Sequence, residues 1–127
     1  MAAVDAKKGP DMELRRAFVE LQTKMVDAKQ KMKMADLQVE NFKRSITHTE
    51  LTGAELKSLP EETRLYESVG RMFMLSTRAE ITDALDKKQE NCKEKIKNLE
   101  ANKTYLERSM KDSENSLREL VAQKKAQ

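Results

Sequence analysis

Thr63-Arg64-Leu65-Tyr66-Glu67-Ser68-Val69-Gly70-Arg71-Met72-Phe73-Met74-Leu75 is the stretch whose reading decides the fold. Gly70 supplies a position where a tight turn takes positive φ without steric cost. On its N-terminal side Leu65 and Val69 alternate with polar residues, as in a half-buried strand. On its C-terminal side Met72 to Leu75 are all apolar, as in a strand covered on both faces. A β-hairpin is predicted, and Gly70 argues against a helix. Two strands alone are marginal in water. This pair also exposes apolar side chains and unpaired edges that nothing else in the chain can cover, so other chains are expected to complete the sheet.

On both sides of the hairpin the apolar period changes to that of a coiled coil. Leu14, Phe18, Leu21, Met25, Ala28, Met32, Ala35, Val39, Phe42 and Ile46 step by four and three without a break, so ten of ten seam positions are apolar. A second repeat runs through Leu85, Gln89, Cys92, Ile96, Leu99, Lys103, Leu106, Met110, Ser113, Leu117 and Leu120, with eight of eleven apolar. Thr77-Arg78-Ala79-Glu80 fits a capping box at its start. Thr52-Gly53-Ala54-Glu55 fits another, predicted to begin a separate short helix that Pro60 ends. Residues 1–10 read as a flexible tail ending in Gly9-Pro10. The expected layout is therefore mainly α: a tail over 1–10 and a single domain over 11–127. Within it, helix 1 covers 11–48, a short helix and the β-hairpin cover 49–76, and helix 2 covers 77–124.

The flanking charges suggest how the two helices pair. With Ile46 opposite Leu85 in an antiparallel fold-back, Leu14 meets Leu117 and Val39 meets Cys92. Arg15–Glu114, Lys29–Glu100, Asp36–Lys93 and Lys43–Asp86 are then all opposite in sign. Sliding by a heptad brings Lys43 to Lys93 or Asp36 to Asp86. Each exposed pair contributes only ~0.2–1 kcal/mol, so their expected use is to penalise other registers.

Composition bounds the functional classes. Of 127 residues 37% are charged and 4% aromatic, and the net charge is only +3, with acids and bases mixed throughout. That excludes a basic nucleic-acid-binding face. No run approaches the apolar length of a membrane helix, and the N-terminus lacks a signal peptide's apolar core. The lone Cys92 allows no intrachain disulfide and suits a reducing compartment, the cytoplasm being the simplest. At its seam position it reads as a small core residue. One His and one Cys, far apart, form neither a zinc site nor a nucleophilic dyad, and the isolated glycines form no phosphate loop. No enzyme and no cofactor is expected.

Leu59-Pro60-Glu61-Glu62-Thr63 followed by Tyr66-Glu67-Ser68-Val69-Gly70-Arg71-Met72-Phe73 resembles the β-class subunits of the prefoldin family. Met12-Glu13-Leu14-Arg15-Arg16-Ala17-Phe18 and Tyr105-Leu106-Glu107-Arg108-Ser109 add weaker support, since any heptad is similar to another. The resemblance covers Met12 to the C-terminus. It implies a heterohexamer in which this chain joins two α-class and three further β-class subunits. Their hairpins form an oligomeric β-barrel platform from which coiled coils hang. It also implies capture of unfolded actin and tubulin and their delivery to the cytosolic chaperonin without ATP. By the same resemblance Leu65, Tyr66, Val69, Gly70, Met72, Phe73, Met74 and Leu75 serve the platform.

In the register above both chain ends lie away from the hairpin, where coiled coils fray. Met12, Leu14, Phe18, Leu117, Leu120 and Val121 are therefore expected to become accessible to an unfolded client, with several weak contacts combining through multivalency. The bland alternative is that these six complete the seam, and for Leu14 and Leu117 it is the stronger one. A coiled-coil scaffold or tether is the competing function. A plain tether has no use for an apolar β-hairpin in the middle of its coil.

Overall fold

The structure, a computed structural model, describes residues 2–126, with side chains described over 12–125. The chain runs α1 (Ala2–Ser58), β1 (Leu65–Val69), β2 (Met72–Ser76) and α2 (Arg78–Ala126). These elements divide into two compact units, each drawing on both helices. One is Asp36–Leu99; the other joins α1 up to Ala35 with α2 from Glu100.

In the Asp36–Leu99 unit α1 ends later than the sequence predicts. The expected separate helix beginning at Thr52 is instead the last turns of α1. Thr52 does not cap: its hydroxyl donates to the His48 carbonyl at 2.8 Å, and Thr49 donates to Ile46 at 2.7 Å. A threonine caps only where the preceding residues leave the helix; inside one, its hydroxyl turns back to a carbonyl a turn earlier. The seam also continues in step past Ile46, because Thr49 is buried and Gly53 and Leu56 are partly covered. Two of those three are not apolar, which hid the continuation. α1 then ends at Ser58, because Pro60 disfavours the helical conformation at the residue before it.

The start of α2 matches expectation. Thr77 Oγ1 accepts from the Glu80 amide at 3.2 Å, and the Thr77 amide donates to Glu80 Oε2 at 3.4 Å, a reciprocal capping box. Arg78 Nη2 reaches across to donate to the carbonyls of Leu59 (3.1 Å) and Pro60 (2.8 Å). The first turn of α2 is thereby tied to the end of α1.

The helix register corrects the expectation drawn from charges. Gln89 Nε2 donates to Glu50 Oε1 at 3.2 Å, and the Lys95 ammonium lies 5.4 Å from the Phe42 ring centroid. Cys92 lies midway between Gln89 and Lys95, so it is level with Ile46 and not with Val39. That is a slip of one heptad from the predicted pairing. The physical reason is the weakness of exposed ion pairs against the end of the coil, where the continued seam and the Arg78 hydrogen bonds decide the alignment. The slip leaves every seam residue on its seam face, because the pattern repeats every seven residues.

The second unit carries the same periodicity. Ala28 is buried, and Leu14, Leu21, Met25, Met32, Leu106, Met110, Leu117 and Leu120 are half-buried. Lys124 Nζ pairs with Glu13 Oε2 at 3.1 Å, which again places the helices a heptad from the charge-based register. α1 itself is helical from Ala2, where the sequence reading begins it at Asp11. Ala2, Ala3, Ala6, Lys7 and Lys8 have high helix propensity, which works against the lost N–H and the ring clash that Pro10 brings to the helix.

Candidate functional site

The β-hairpin is the candidate site, and it is built from its turn outward. β1 and β2 pair antiparallel with Val69 opposite Met72, Ser68 opposite Phe73, Glu67 opposite Met74, Tyr66 opposite Leu75 and Leu65 opposite Ser76. Gly70 and Arg71 are thus the two loop residues. Gly70 has φ of 63°, and no non-glycine residue among those described has positive φ. Positive φ at the first loop position alone is the pattern of a type II′ turn, whose twist matches that of the flanking strands.

Nothing lies within 4 Å of a Cβ placed on Gly70, so space does not demand glycine there; the backbone angle does. Gly70→Ala is therefore expected to destabilise the hairpin by about 1–2 kcal/mol, the left-handed penalty of an L-residue. Cross-strand NOEs between Val69 and Met72 should weaken, while the helical circular dichroism signal is retained.

The register assigns each side chain to a face. Leu65, Glu67, Val69, Met72, Met74 and Ser76 share one, and Tyr66, Ser68, Phe73 and Leu75 the other. Leu65 is buried, as the alternation suggests. Val69 is not, and Met72 to Leu75, whose cover is expected from other chains, are exposed on both faces: Phe73 is 72% and Leu75 65% accessible. The sheet has two strands only, so each presents an unpaired backbone edge. Two bare edges and apolar side chains on both faces are what a strand pair offers to further strands and to a covering layer.

The predicted client-binding residues all lie in the other unit. Met12 and Phe18 are exposed, Phe18 at 51%, whereas Leu14, Leu117, Leu120 and Val121 are half-buried. A shallow cleft brings Leu117 and Leu120 against Ala17 and Leu21 of α1. The heptad reading did not single out Val19, Val26, Met34, Leu37 and Leu51, all of them exposed. Their signal in the sequence is an apolar residue in addition to the seam pair of a heptad.

Among the described residues, no group of three or more His, Cys, Asp or Glu is placed to hold a metal ion. Among the described residues, no helix is long and apolar enough to cross a membrane.

Comparison with known proteins places this arrangement. A family model described as prefoldin subunit, Prefoldin_2, matches residues 19–124. Prefoldin subunit 1 of Danio rerio is 52% identical over 92% of this chain and 96% of its own length. Prefoldin subunit 1 of Homo sapiens is 47% identical over the same shares. Among solved structures, the prefoldin beta subunit from Thermococcus strain KS-1 is 26% identical, covering 87% of this chain and 88% of that one at a TM-score of 0.40. On its matched sequence and its helix–hairpin–helix order, the chain belongs to the prefoldin family.

Proposed function

We propose that this chain is a β-class subunit of a prefoldin heterohexamer. In that assembly it joins two α-class and three further β-class subunits through its hairpin. The complex captures unfolded proteins, actin and tubulin among them, and passes them to the cytosolic chaperonin without ATP. The carrying observation is the hairpin, apolar on both faces and open on both edges, with Tyr66, Val69 and Met72 to Leu75 left exposed. The sequence likeness to prefoldin subunit 1 of other organisms supports the same reading.

Mixing decides it. The chain alone and the chain with the remaining prefoldin subunits are compared by light scattering after chromatography. Heterohexamer mass is expected only in the mixture. A stable monomer or dimer indifferent to the other subunits would sink the proposal.

Met12, Leu14, Phe18, Leu117, Leu120 and Val121 are the proposed client contacts. The exposure of Met12 and Phe18 supports this, and the half-burial of the other four requires fraying of the coil. Leu120→Ser with Val121→Ser in the assembled complex is expected to weaken capture of unfolded actin about tenfold, equivalent to ~1.4 kcal/mol. Unchanged capture by an intact hexamer would remove these residues from the client site.

A further inference from the structure

The two edges of the hairpin differ, and the difference follows from its register. Val69 and Met72 close the turn as a hydrogen-bonded pair, and in alternation Glu67–Met74 and Leu65–Ser76 are hydrogen-bonded too. The backbone N–H and C=O groups of Tyr66 and Ser68 on β1, and of Phe73 and Leu75 on β2, therefore point outward from the sheet. A strand laid antiparallel along either edge can pair with them. For a second copy of this chain the two edges are not equivalent. Glu67 is the central residue of β1, so full overlap of β1 with β1 of another copy sets Glu67 directly opposite Glu67. Like charges so placed are destabilising. Met74 is the central residue of β2, so full overlap of β2 with β2 sets Met74 opposite Met74, Phe73 opposite Leu75 and Met72 opposite Ser76. No charge is met there. β2 holds neither a proline nor a charged residue, the devices that commonly blunt an exposed edge, and Met72 to Leu75 are 55–72% accessible. Mixed pairing of β2 with β1 is also disfavoured, because it puts Glu67 on an inner strand between two Met74 side chains.

We propose that the β2 edge docks a second copy of this chain when no other subunit is present, the two β2 strands pairing antiparallel about a two-fold axis at Met74. The result is one sheet of order β1-β2-β2-β1. Backbone hydrogen bonds join Phe73 of each copy to Leu75 of the other. The Phe73 and Leu75 side chains meet on one face of the sheet and the Met74 pair on the other. Glu67 is left at the centre of each outer edge, where it disfavours addition of a further copy. The contact is isologous, so the assembly closes as a dimer and does not grow into a fibre. This pairing does not depend on the heterohexamer reading.

The test uses the full chain alone. Sedimentation equilibrium over about 1–300 µM is expected to show monomer and dimer and no larger species, the range suiting a small contact between two strands. Met74→Lys is expected to weaken the dimer by about tenfold or more, since it sets like charges opposite each other across the axis. Within the hairpin the new lysine faces Glu67, so the strand pair itself is kept. Glu67→Val is expected to leave the dimer contact intact and to let larger species form through the outer edges. A second measurement needs no weakened variant. Cys92 is replaced by Ala, and Met74→Cys is oxidised with glutathione disulfide. Residue 74 of each copy then faces the other in a non-hydrogen-bonded pair with Cα atoms roughly 4.5 Å apart, within disulfide reach. Rapid covalent dimerisation is expected, and Glu67→Cys in the same background is expected to cross-link far more slowly. A chain that stays monomeric throughout, a dimer indifferent to Met74→Lys, or cross-linking through Glu67→Cys as fast as through Met74→Cys would overturn the proposal. Mixing with the other subunits is a separate readout, so failure here leaves the heterohexamer to be judged on its own.

Discussion

Replacing Phe73 and Leu75 together by Glu is expected to abolish heterohexamer formation while leaving the isolated chain as helical as before. Both outcomes have one cause. The two side chains share a face of the hairpin with Tyr66 and Ser68, and in the chain alone they are mostly in water. Charging them therefore removes almost nothing that holds the chain itself together. In the assembly they should be covered, and burying each is worth ~1.5–3 kcal/mol. Losing both contacts costs roughly 3–6 kcal/mol, a weakening of about 10²- to 10⁴-fold before any penalty for desolvating the carboxylates. Size-exclusion chromatography with light scattering reads the assembly, and far-ultraviolet circular dichroism reads the helices. The matching Met72→Glu with Met74→Glu pair tests the opposite face, which is buried only at its Leu65 end. Hexamers persisting with the Phe73/Leu75 variant would show that this face is not what the platform buries.

Cys92→Asp is expected to have the largest effect on the chain's own stability, about 3 kcal/mol or more. Cys92 is only 6% accessible and sits level with Ile46 in the seam. An aspartate there is too short to carry its charge out to water, unlike a lysine, whose long stem can snorkel. A loss of that size lowers the midpoint of thermal unfolding by about 10 °C or more. Cys92→Ser, which buries a hydroxyl and no charge, should lose substantially less. A melting curve for the Asp variant that overlays the parent would mean that the seam around Cys92 opens readily, contrary to its burial.

Much of the site was legible because hairpins declare themselves locally. Gly70 between an alternating run and an apolar run was enough to place the turn and both strands. The exposure of Met72 to Leu75 followed from finding no other segment able to cover them. The half-exposed Phe18 and the exposed Met12, Val19 and Val26 were harder to read. A third apolar residue per heptad looks like noise until the partner helix is in place and is seen not to cover it. Thr49 and Gly53 were missed for the opposite reason: they occupy seam positions without being apolar. The Thr52 capping box misled because the same residues serve a helix interior when the chain before them is already helical.

The sequence by itself determined which face of each helix is the seam, where the hairpin turns and where α2 begins. Each of those depends on contacts within a few residues or on a short period. The continuity of α1 to Ser58 and the alignment of the helices were decided by tertiary structure alone. A seven-residue repeat looks the same after sliding by seven, so apolar pattern cannot choose between registers. The exposed charges that seemed able to choose contribute ~0.2–1 kcal/mol a pair. What chooses is the end of the coil, where Pro60 stops α1 and Arg78 grips the carbonyls of Leu59 and Pro60. That contact joins residues 18 and 19 positions apart, beyond the reach of any local reading.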